Sequence, residues 1–255
     1  DYLKNKDDSF WLHEKQSQPN VNYLVEPFVL KDSPNLIFGM GGSHKTFFSL
    51  GMAIACATGL PFLDYKPTDI RPVLFIDYED EPSNLQSRII KLAKGNCFKL
   101  NDEDARKIWI RYYNPEGRAL SDCLPALKKI IKEWEIGMII IDSAALACVG
   151  DPSQAEIALR YFNALKTLQV TSLTIAHENK IGNSEFAFGS IFFHNSPRNI
   201  WNIRKTSEED STISHLGLFN KKSNNDCLKS PISIKLTFGD DFIDFNYESV
   251  YNNFT

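Results

Sequence analysis

Residues 36–46 read Leu-Ile-Phe-Gly-Met-Gly-Gly-Ser-His-Lys-Thr. Three apolar residues are followed by a glycine-rich segment, and the apolar pattern after Lys45 is typical of a helix. A strand, a glycine-rich loop and a helix N-terminus together form an anion site, because unpaired main-chain N–H groups and the positive end of the helix dipole point to the same place. The segment Gly39–Thr46 therefore predicts a phosphate loop that holds ATP, or another nucleoside triphosphate, with Mg²⁺.

In such a loop each residue type has its own task. Lys45 would reach the β- and γ-phosphates, and the Thr46 hydroxyl would bind Mg²⁺. Glycines let main-chain N–H groups turn inward around the phosphate oxygens. The residues expected to contact the nucleotide are Gly39, Gly41, Gly42, Ser43, His44, Lys45, Thr46 and Phe47.

His44 departs from the usual pattern, G-x-x-x-x-G-K-[ST], which has a glycine in its place. Histidine is one of the non-glycine residues that are enriched at positive φ, so the loop can keep its shape. The alternative is a glycine-rich turn that only caps an ordinary helix. The strand and the helix around the loop, together with acidic residues at two strand ends, favour the phosphate site.

Outside the loop, short apolar runs alternate with longer helical stretches. Runs that are apolar on both faces are typical of central parallel strands, and the helices between them give right-handed βαβ units. After about residue 198 the helices stop and strands follow one another, with Lys205–Asp210 expected at a hairpin tip. The sequence predicts an α/β fold whose mostly parallel central sheet carries antiparallel C-terminal strands. The expected strands are 36–38, 73–77, 108–110, 138–142, 172–176, 199–204, 212–220, 232–238 and 242–245, and the expected helices are 45–58, 82–94, 121–134 and 153–168.

Two of these strands end in acidic residues. Asp142 ends one of them, whereas Asp77 and Glu79 stand at the end of another. Ligands bind beyond the carboxyl ends of parallel strands, so these acids are expected beside the phosphate loop. Asp142 would hold Mg²⁺ through its water shell. Glu79 would orient and deprotonate the attacking water, with Asp77 as the alternative base or a supporting group. The other interpretations are a turn or helix cap at Asp142 and a solvated acidic cluster around Glu79.

The whole chain has 255 residues and a formal net charge of −4. This length suits one large domain, predicted at residues 23–255, preceded by a polar arm or linker at residues 1–22. The mild acidity argues against binding nucleic acid by bulk charge, although it leaves room for a local basic loop. No apolar run reaches the roughly 20 residues that span a bilayer. Five widely spaced cysteines without a CxxC pair predict reduced thiols in a cytoplasmic protein.

With these residues the chain resembles the RecA-like hexameric P-loop ATPases, in particular the branch of the plasmid RepA replicative helicases and related phage and mobile-element ATPases. The likeness covers most of the chain, residues 23–238, and the order and spacing of four blocks are more specific than any one block. The blocks are 39–50, 73–80, 139–143, and 176–180 followed by 188–190 and 195–201. The resemblance implies a RecA-like core that binds ATP and Mg²⁺.

The resemblance also implies contacts beyond the phosphate loop. His177 would sense the γ-phosphate, unless it is only a hydrogen-bonded histidine at a strand end. The loop Glu178–Asn195, with Lys180, His194 and four phenylalanines, would face single-stranded DNA in the channel of a ring-shaped homo-oligomer such as a hexamer. Phenylalanines can stack on bases, but these four can equally pack into the core.

A basic finger from a neighbouring subunit enters the ATP site in this family. Arg198 and Lys222 are the candidates here, because positive charge stabilises the transferring phosphoryl group. Replicative helicases tend to have Lys-x-Arg at the second place, whereas this chain has Asn224 there. Lys222 or Arg198 would then act alone, or hydrolysis would be slow. The alternative for Lys222 is a solvated β-turn.

The first functional hypothesis is a Mg²⁺-dependent ATPase that acts on DNA, as a helicase-like motor in the replication of a plasmid, virus or mobile element. The second is an ATP-dependent switch or assembly module with little or no DNA unwinding. A small-molecule kinase is a third hypothesis, but the chain lacks an arginine-bearing lid, and antiparallel C-terminal strands do not suit it.

Overall fold

The computed structural model describes residues 22–179 and 186–248. Within them the chain forms eleven β-strands and seven α-helices. The strands are β1 (Tyr23–Val25), β2 (Val29–Leu30), β3 (Pro34–Gly39), β4 (Val73–Asp77), β5 (Ile110–Tyr113), β6 (Met138–Asp142), β7 (Thr171–His177), β8 (Asn199–Asp210), β9 (Ile213–Ser223), β10 (Ile232–Phe238) and β11 (Ile243–Tyr247). The helices are α1 (Lys45–Thr58), α2 (Pro82–Lys94), α3 (Asp102–Ala105), α4 (Leu124–Glu133), α5 (Ala144–Cys148), α6 (Ala155–Leu168) and α7 (Phe192–Asn195).

Nine strands form one sheet in the spatial order β11-β10-β9-β8-β3-β7-β6-β4-β5, and β1 pairs with β2 separately. Neighbours from β8 through β3, β7, β6 and β4 to β5 are parallel. The pairs β8–β9, β9–β10 and β10–β11 are antiparallel. The predicted α/β fold, a mostly parallel sheet extended by antiparallel C-terminal strands, is confirmed. The end of β3 lies in the middle of this sheet, between β7 and β8.

The two faces of the sheet are covered by separate apolar clusters. Every residue of β4 and β6 is buried, as expected for central parallel strands with helices on both sides. One cluster includes Phe48 and Ile54 of α1, and the other includes Tyr161 and Phe162 of α6. The strand ends that carry the site residues therefore project from a closely packed support.

The predicted helices at 45–58 and 82–94 are confirmed at both ends. The strand expected at 108–110 begins later, at Ile110, and forms the edge of the sheet. The predicted helix at 121–134 begins as a 3₁₀ turn, Leu120–Cys123, before α4. Of the arm predicted at residues 1–22, residues 1–21 lie outside the described residues.

The prediction of a hairpin tip at Lys205–Asp210 is wrong. β8 continues to Asp210 and β9 begins at Ile213, so only Ser211 and Thr212 form the tip. Polar residues can continue an antiparallel ribbon into solvent, because main-chain pairing rather than side-chain burial holds it together. Polarity alone is therefore a poor marker of the turn.

β11 holds the C-terminal end of α2 in place. Asp244 accepts hydrogen bonds from the Cys97 main-chain N–H (3.1 Å) and from Asn96 Nδ2 (2.9 Å). A Cβ at Gly95 would lie 2.1 Å from the main-chain oxygen of Ile243, so only glycine allows this approach. The last strand described is thus fastened to the helix that follows the acidic segment after β4.

None of the helices among the described residues is long and apolar enough to cross a membrane. The five cysteines of the chain, at positions 56, 97, 123, 148 and 227, are free thiols.

Candidate nucleotide-binding site

The loop between β3 and α1 has the backbone that a phosphate site requires. A Cβ at Gly39 would lie 2.2 Å from the main-chain oxygen of Ile203, so β8 presses directly on the start of the loop. Gly42 has φ +77°, a conformation that suits glycine. Lys45 is buried, and its ammonium donates to the carbonyl oxygens of Gly39 (3.0 Å) and Met40 (2.8 Å). The Lys45 side chain thus connects the end of the loop to its start.

Lys45 makes two hydrogen bonds to carbonyl groups and keeps one donor for an anion. Its ammonium has three N–H donors, and two of them serve the loop. Burial lowers the pKa of Lys45, whereas the nearby carboxylates of Asp142, Glu79 and Glu178 raise it. The lysine is therefore a buried cation among acids, and a phosphate would meet its remaining donor.

His44 takes up the position where a glycine was expected. Its φ and ψ of 60° and 26° are left-handed, as predicted for a histidine that replaces a loop glycine. A hydrogen bond of 3.1 Å joins His44 Nε2 to Ser214 Oγ on β9. The ring lies 5.4 Å from that of Phe238 on β10. Burial, followed by the charges of Lys205 and Lys45, lowers the pKa of His44 to about 4, so the imidazole is neutral at pH 7.

Thr46 and Asp142 form the candidate metal site. Thr46 Oγ1 donates to Asp142 Oδ2 at 2.6 Å, so two oxygen atoms from α1 and β6 meet beside the loop. Burial raises the pKa of Asp142 to about 6, helped by the charges of Glu79 and Asp77 and opposed by the Thr46 hydrogen bond. Hydroxyl and carboxylate oxygens are the ligands that Mg²⁺ prefers, with water and phosphate oxygens as the others. These residues fit a magnesium ion.

Glu79 lies opposite this pair, on the segment after β4. Its Oε1 accepts a short hydrogen bond from Ser143 Oγ and lies 3.5 Å from His177 Nε2 at the end of β7. The His177 contact is the largest cause that lowers the pKa of Glu79, and the Ser143 bond acts in the same direction. The carboxylate is therefore charged at neutral pH and held in one orientation.

Asp77 shapes the turn that presents Glu79. Its Oδ1 accepts hydrogen bonds from the main-chain N–H groups of Glu79 (3.0 Å) and Asp80 (3.1 Å). Asp77 itself is buried, which raises its pKa. This geometry favours the supporting role over the alternative that Asp77 is the base.

A cavity of about 310 Å³ brings most of the predicted residues together. Its lining includes Gly41, Gly42, His44, Lys45, Thr46, Phe47, Asp77, Glu79, Asp142 and His177. Gly39 and Ser43 are not in this lining, and both are buried. A larger cavity of about 600 Å³ lies between α2, α3 and β5, but no residue of the loop reaches it. The smaller cavity is therefore the candidate phosphate site.

Arg88 is a residue of this cavity that sequence reasoning missed. It lies on α2, pairs with Asp80 Oδ2 at 2.7 Å, and its guanidinium lies 5.4 Å from the centre of the Phe47 ring. Asp80 precedes α2, which begins at Pro82, so helical spacing does not relate it to Arg88. The signal in the sequence was the helical pattern of residues 82–94, which places Arg88 on α2 but does not show what it meets. Ser143 gave no such signal.

Arg198 and Lys222 lie away from this cavity. The main-chain N–H of Arg198 bonds to the Pro34 carbonyl, at the start of β3, and Lys222 is paired with Ile200 of β8. The phosphate loop leaves the other end of β3, five residues and roughly 16 Å further on. Neither residue reaches the site of its own chain, and their role in a neighbouring site stays a prediction.

The segment after β7 divides into two parts. Phe193 is buried against Tyr161 and Phe162, whereas Phe186 and Phe188 are exposed, by 50% and 41%. Phe192 is half-buried. The prediction for the four phenylalanines is thus split between core packing and an accessible surface. Lys180, which was also predicted to face DNA, lies outside the described residues.

Comparisons with known proteins agree with this geometry. A family model described as AAA domain matches residues 3–183. The structure of a KaiC-like protein from the hyperthermophilic archaeon Pyrococcus horikoshii OT3 matches with a TM-score of 0.58 and 14% identity, covering 87% of this chain and 93% of the other. No curated protein matches the sequence. The chain belongs to the AAA domain family, and its fold is that of a RecA-like P-loop ATPase.

Proposed function

We propose that the protein is a Mg²⁺-dependent ATP hydrolase that acts on DNA as a ring-shaped homo-oligomer, a helicase-like motor in the replication of a plasmid, virus or mobile element. The observation that carries the hydrolase part is the meeting of three groups at one cavity: the Lys45 ammonium, the Thr46–Asp142 oxygen pair and the oriented Glu79 carboxylate. These are the groups that phosphoryl transfer to water requires.

Each residue of the site would have a separate role in ATP hydrolysis. The loop N–H groups and Lys45 would hold the β- and γ-phosphates, and His177 is close enough to Glu79 to link the water-activating carboxylate to the γ-phosphate position. Glu79, charged and held by Ser143, would orient the attacking water and take its proton. Magnesium bound at Thr46 and Asp142 would neutralise charge on the phosphate oxygens.

The exposed apolar residues after β7 support the DNA part of the proposal. Phe186, Phe188 and Ile191 are exposed by 50%, 41% and 61%, on the segment that follows the carboxyl end of a central strand. Aromatic side chains provide stacking platforms for single-stranded bases whatever their sequence. Coupling between this segment and the ATP site would run along β7, which ends in His177.

A second function, the ATP-dependent switch, is favoured by one observation. The ammonium of Lys222 donates to the carbonyl oxygens of His194 (2.8 Å), Asn195 (2.8 Å) and Pro197 (2.9 Å). A lysine held in this way is not extended toward a neighbouring subunit. Arg198 would have to serve as the finger alone, and slow hydrolysis suits a switch better than a motor.

One experiment distinguishes these functions. ATP hydrolysis is measured with and without single-stranded DNA at low salt, alongside the mass of the assembly in solution. A motor predicts multimers and turnover that rises when DNA is added, and Phe188→Ala should reduce that rise while leaving turnover without DNA unchanged. Slow turnover that DNA does not alter, together with no DNA binding at low salt, would favour the switch. No ATP hydrolysis in any condition would contradict both the hydrolase and the motor.

A further inference from the structure

His44 joins the phosphate loop to a distant part of the sheet. The residue lies at the N-terminus of α1, and its ring contacts Ser214 on β9 and Phe238 on β10. Ser214 is buried, with an exposed fraction of 4%. The two contacts are 170 and 194 positions away in the chain, so the loop is fastened to the antiparallel strands and not only to its neighbours in sequence.

The left-handed backbone conformation of His44 explains why these contacts matter for the loop. A left-handed conformation is less favourable for a non-glycine residue than for glycine, which has no Cβ. The ring contacts are present where the family pattern has a residue without any side chain. The Ser214 hydrogen bond and the Phe238 packing offset that cost, and they also restrict a loop that glycine would leave more flexible.

The antiparallel strands approach the loop from a second direction. β8 presses its Ile203 carbonyl against Gly39 at the start of the loop, while β9 and β10 hold His44 at its end. Both ends of the loop therefore rest on the part of the sheet formed by the C-terminal strands. A conformational change in the loop on phosphate binding would be transmitted to β9 through His44.

We propose that His44 is a positioning residue that couples the phosphate loop to β9 and β10, so that binding of a triphosphate and the ordering of these strands stabilise each other. The inference rests on the proposed nucleotide binding. By thermodynamic reciprocity, weakening the contact at Ser214 must weaken nucleotide binding, and nucleotide binding must stabilise β9.

The test is a double-mutant cycle on ATP affinity with the full chain. The variants are His44→Gly, Ser214→Ala and the double mutant, and Ser233→Ala is the control. Ser233 is a buried serine on β10 whose hydroxyl has no hydrogen bond within the described residues, so its loss should leave ATP affinity unchanged. Ser214→Ala should weaken ATP binding about fivefold in the parent, and within twofold in the His44→Gly background.

A second measurement reports the coupling without using activity. Hydrogen exchange of the β9 main-chain N–H groups at residues 213–217 should slow when ATP is added to the parent and to Ser233→Ala. In His44→Gly this ATP-dependent protection should disappear. If His44→Gly is too unstable to measure, His44→Asn replaces it, because asparagine also tolerates the left-handed conformation but is too short for both ring contacts.

The outcomes separate this inference from the proposed function. A parent chain that does not bind ATP overturns both. A parent that binds ATP, with equal Ser214→Ala effects in both backgrounds or with protection that persists in His44→Gly, overturns the coupling and leaves the ATPase proposal intact. Non-additive affinities together with lost protection support His44 as the positioning residue.

Discussion

Lys45 and Lys222 both donate hydrogen bonds to main-chain carbonyl groups, but they differ in how many N–H donors remain for a ligand. Lys45 donates to two main-chain carbonyl groups of its loop, and Lys222 donates to three around the end of α7. An ammonium has three donors, so Lys222 has used all of its own, whereas Lys45 keeps one for a ligand. Counting donors therefore separates a binding lysine from a lysine that fastens the chain.

The charges around the two lysines differ in the same sense. Burial lowers the pKa of both, but carboxylates oppose the effect at Lys45, whereas Arg198 lowers the pKa of Lys222 further. The acids near Lys45 are the groups that would bind metal and activate water. A lysine at a catalytic site is thus marked by its neighbours as much as by its own contacts.

The largest effect is expected when Lys45 is changed. Lys45→Ala should reduce ATP turnover on the order of a thousandfold, because it removes the cation that meets the transferring phosphate. The fold should survive, with a modest loss of stability because the Gly39 and Met40 carbonyl groups lose their donor. Turnover is measured with a phosphate-release assay and stability by circular dichroism. Near-normal turnover with an intact fold would contradict the assignment of Lys45 as the phosphate-binding lysine.

Glu79→Gln should have the next largest effect. The amide keeps the size of the side chain but cannot accept the proton of water, so turnover should fall by about a hundredfold while ATP affinity stays within a few-fold. Single-turnover kinetics and equilibrium titration measure the two quantities. Unchanged turnover would mean that another group, with Asp77 the nearest candidate, activates the water.

Lys222→Met tests whether the second lysine has a structural role. Methionine keeps the apolar stem and leaves three carbonyl groups without their donor, which should cost about 1–2 kcal/mol of unfolding free energy. ATP affinity should be unchanged. Chemical denaturation followed by circular dichroism provides the measurement.

The same variant also tests the alternative role of Lys222 in a neighbouring subunit. Unchanged stability with a large loss of turnover in the assembled protein would mean that Lys222 leaves its carbonyl groups and acts in a neighbouring site. Arg198→Ala is the matched variant, because Arg198 is an exposed residue of the same region.

A smaller, several-fold effect is expected from pH. Asp142 has a pKa raised to about 6, and a metal binds only its charged form, so affinity for Mg²⁺–ATP should fall about fourfold between pH 7 and pH 5.5. Protonation removes the negative charge, which sets the sign. Calorimetric titration of Asp142→Asn provides the control, since its remaining pH dependence comes from the nucleotide's own phosphates. A parent and variant with the same pH dependence would contradict the assignment.

Local pattern explains which parts of this protein could be predicted from the sequence. The loop, α1 and the acidic strand ends are encoded in short segments, so the sequence alone places Lys45, Thr46, Asp142 and Glu79 at one edge of a parallel sheet. The parallel and antiparallel parts of the sheet also follow from periodicity and from the absence of helices after residue 198.

Contacts between distant segments explain what could not be predicted. The His44–Ser214 hydrogen bond depends on the register of β9, and the Lys222 contacts depend on where α7 ends. Nothing in the sequence near either residue specifies these partners. Arg88 stands between the two cases, because helical periodicity predicts its face on α2 but not the cavity that this face meets.

The fastening of α2 by β11 has a consequence for the order in which the protein is made. Asp244 and Ile243 support the turn after α2, and α2 carries Arg88 into the cavity. A ribosome must therefore translate almost the entire described chain before that helix gains its last support, although the loop itself emerges some 200 codons earlier. The phosphate loop is therefore synthesised long before β11, which completes the support of α2. A nascent chain that stops short of residue 243 would contain the loop without a complete pocket.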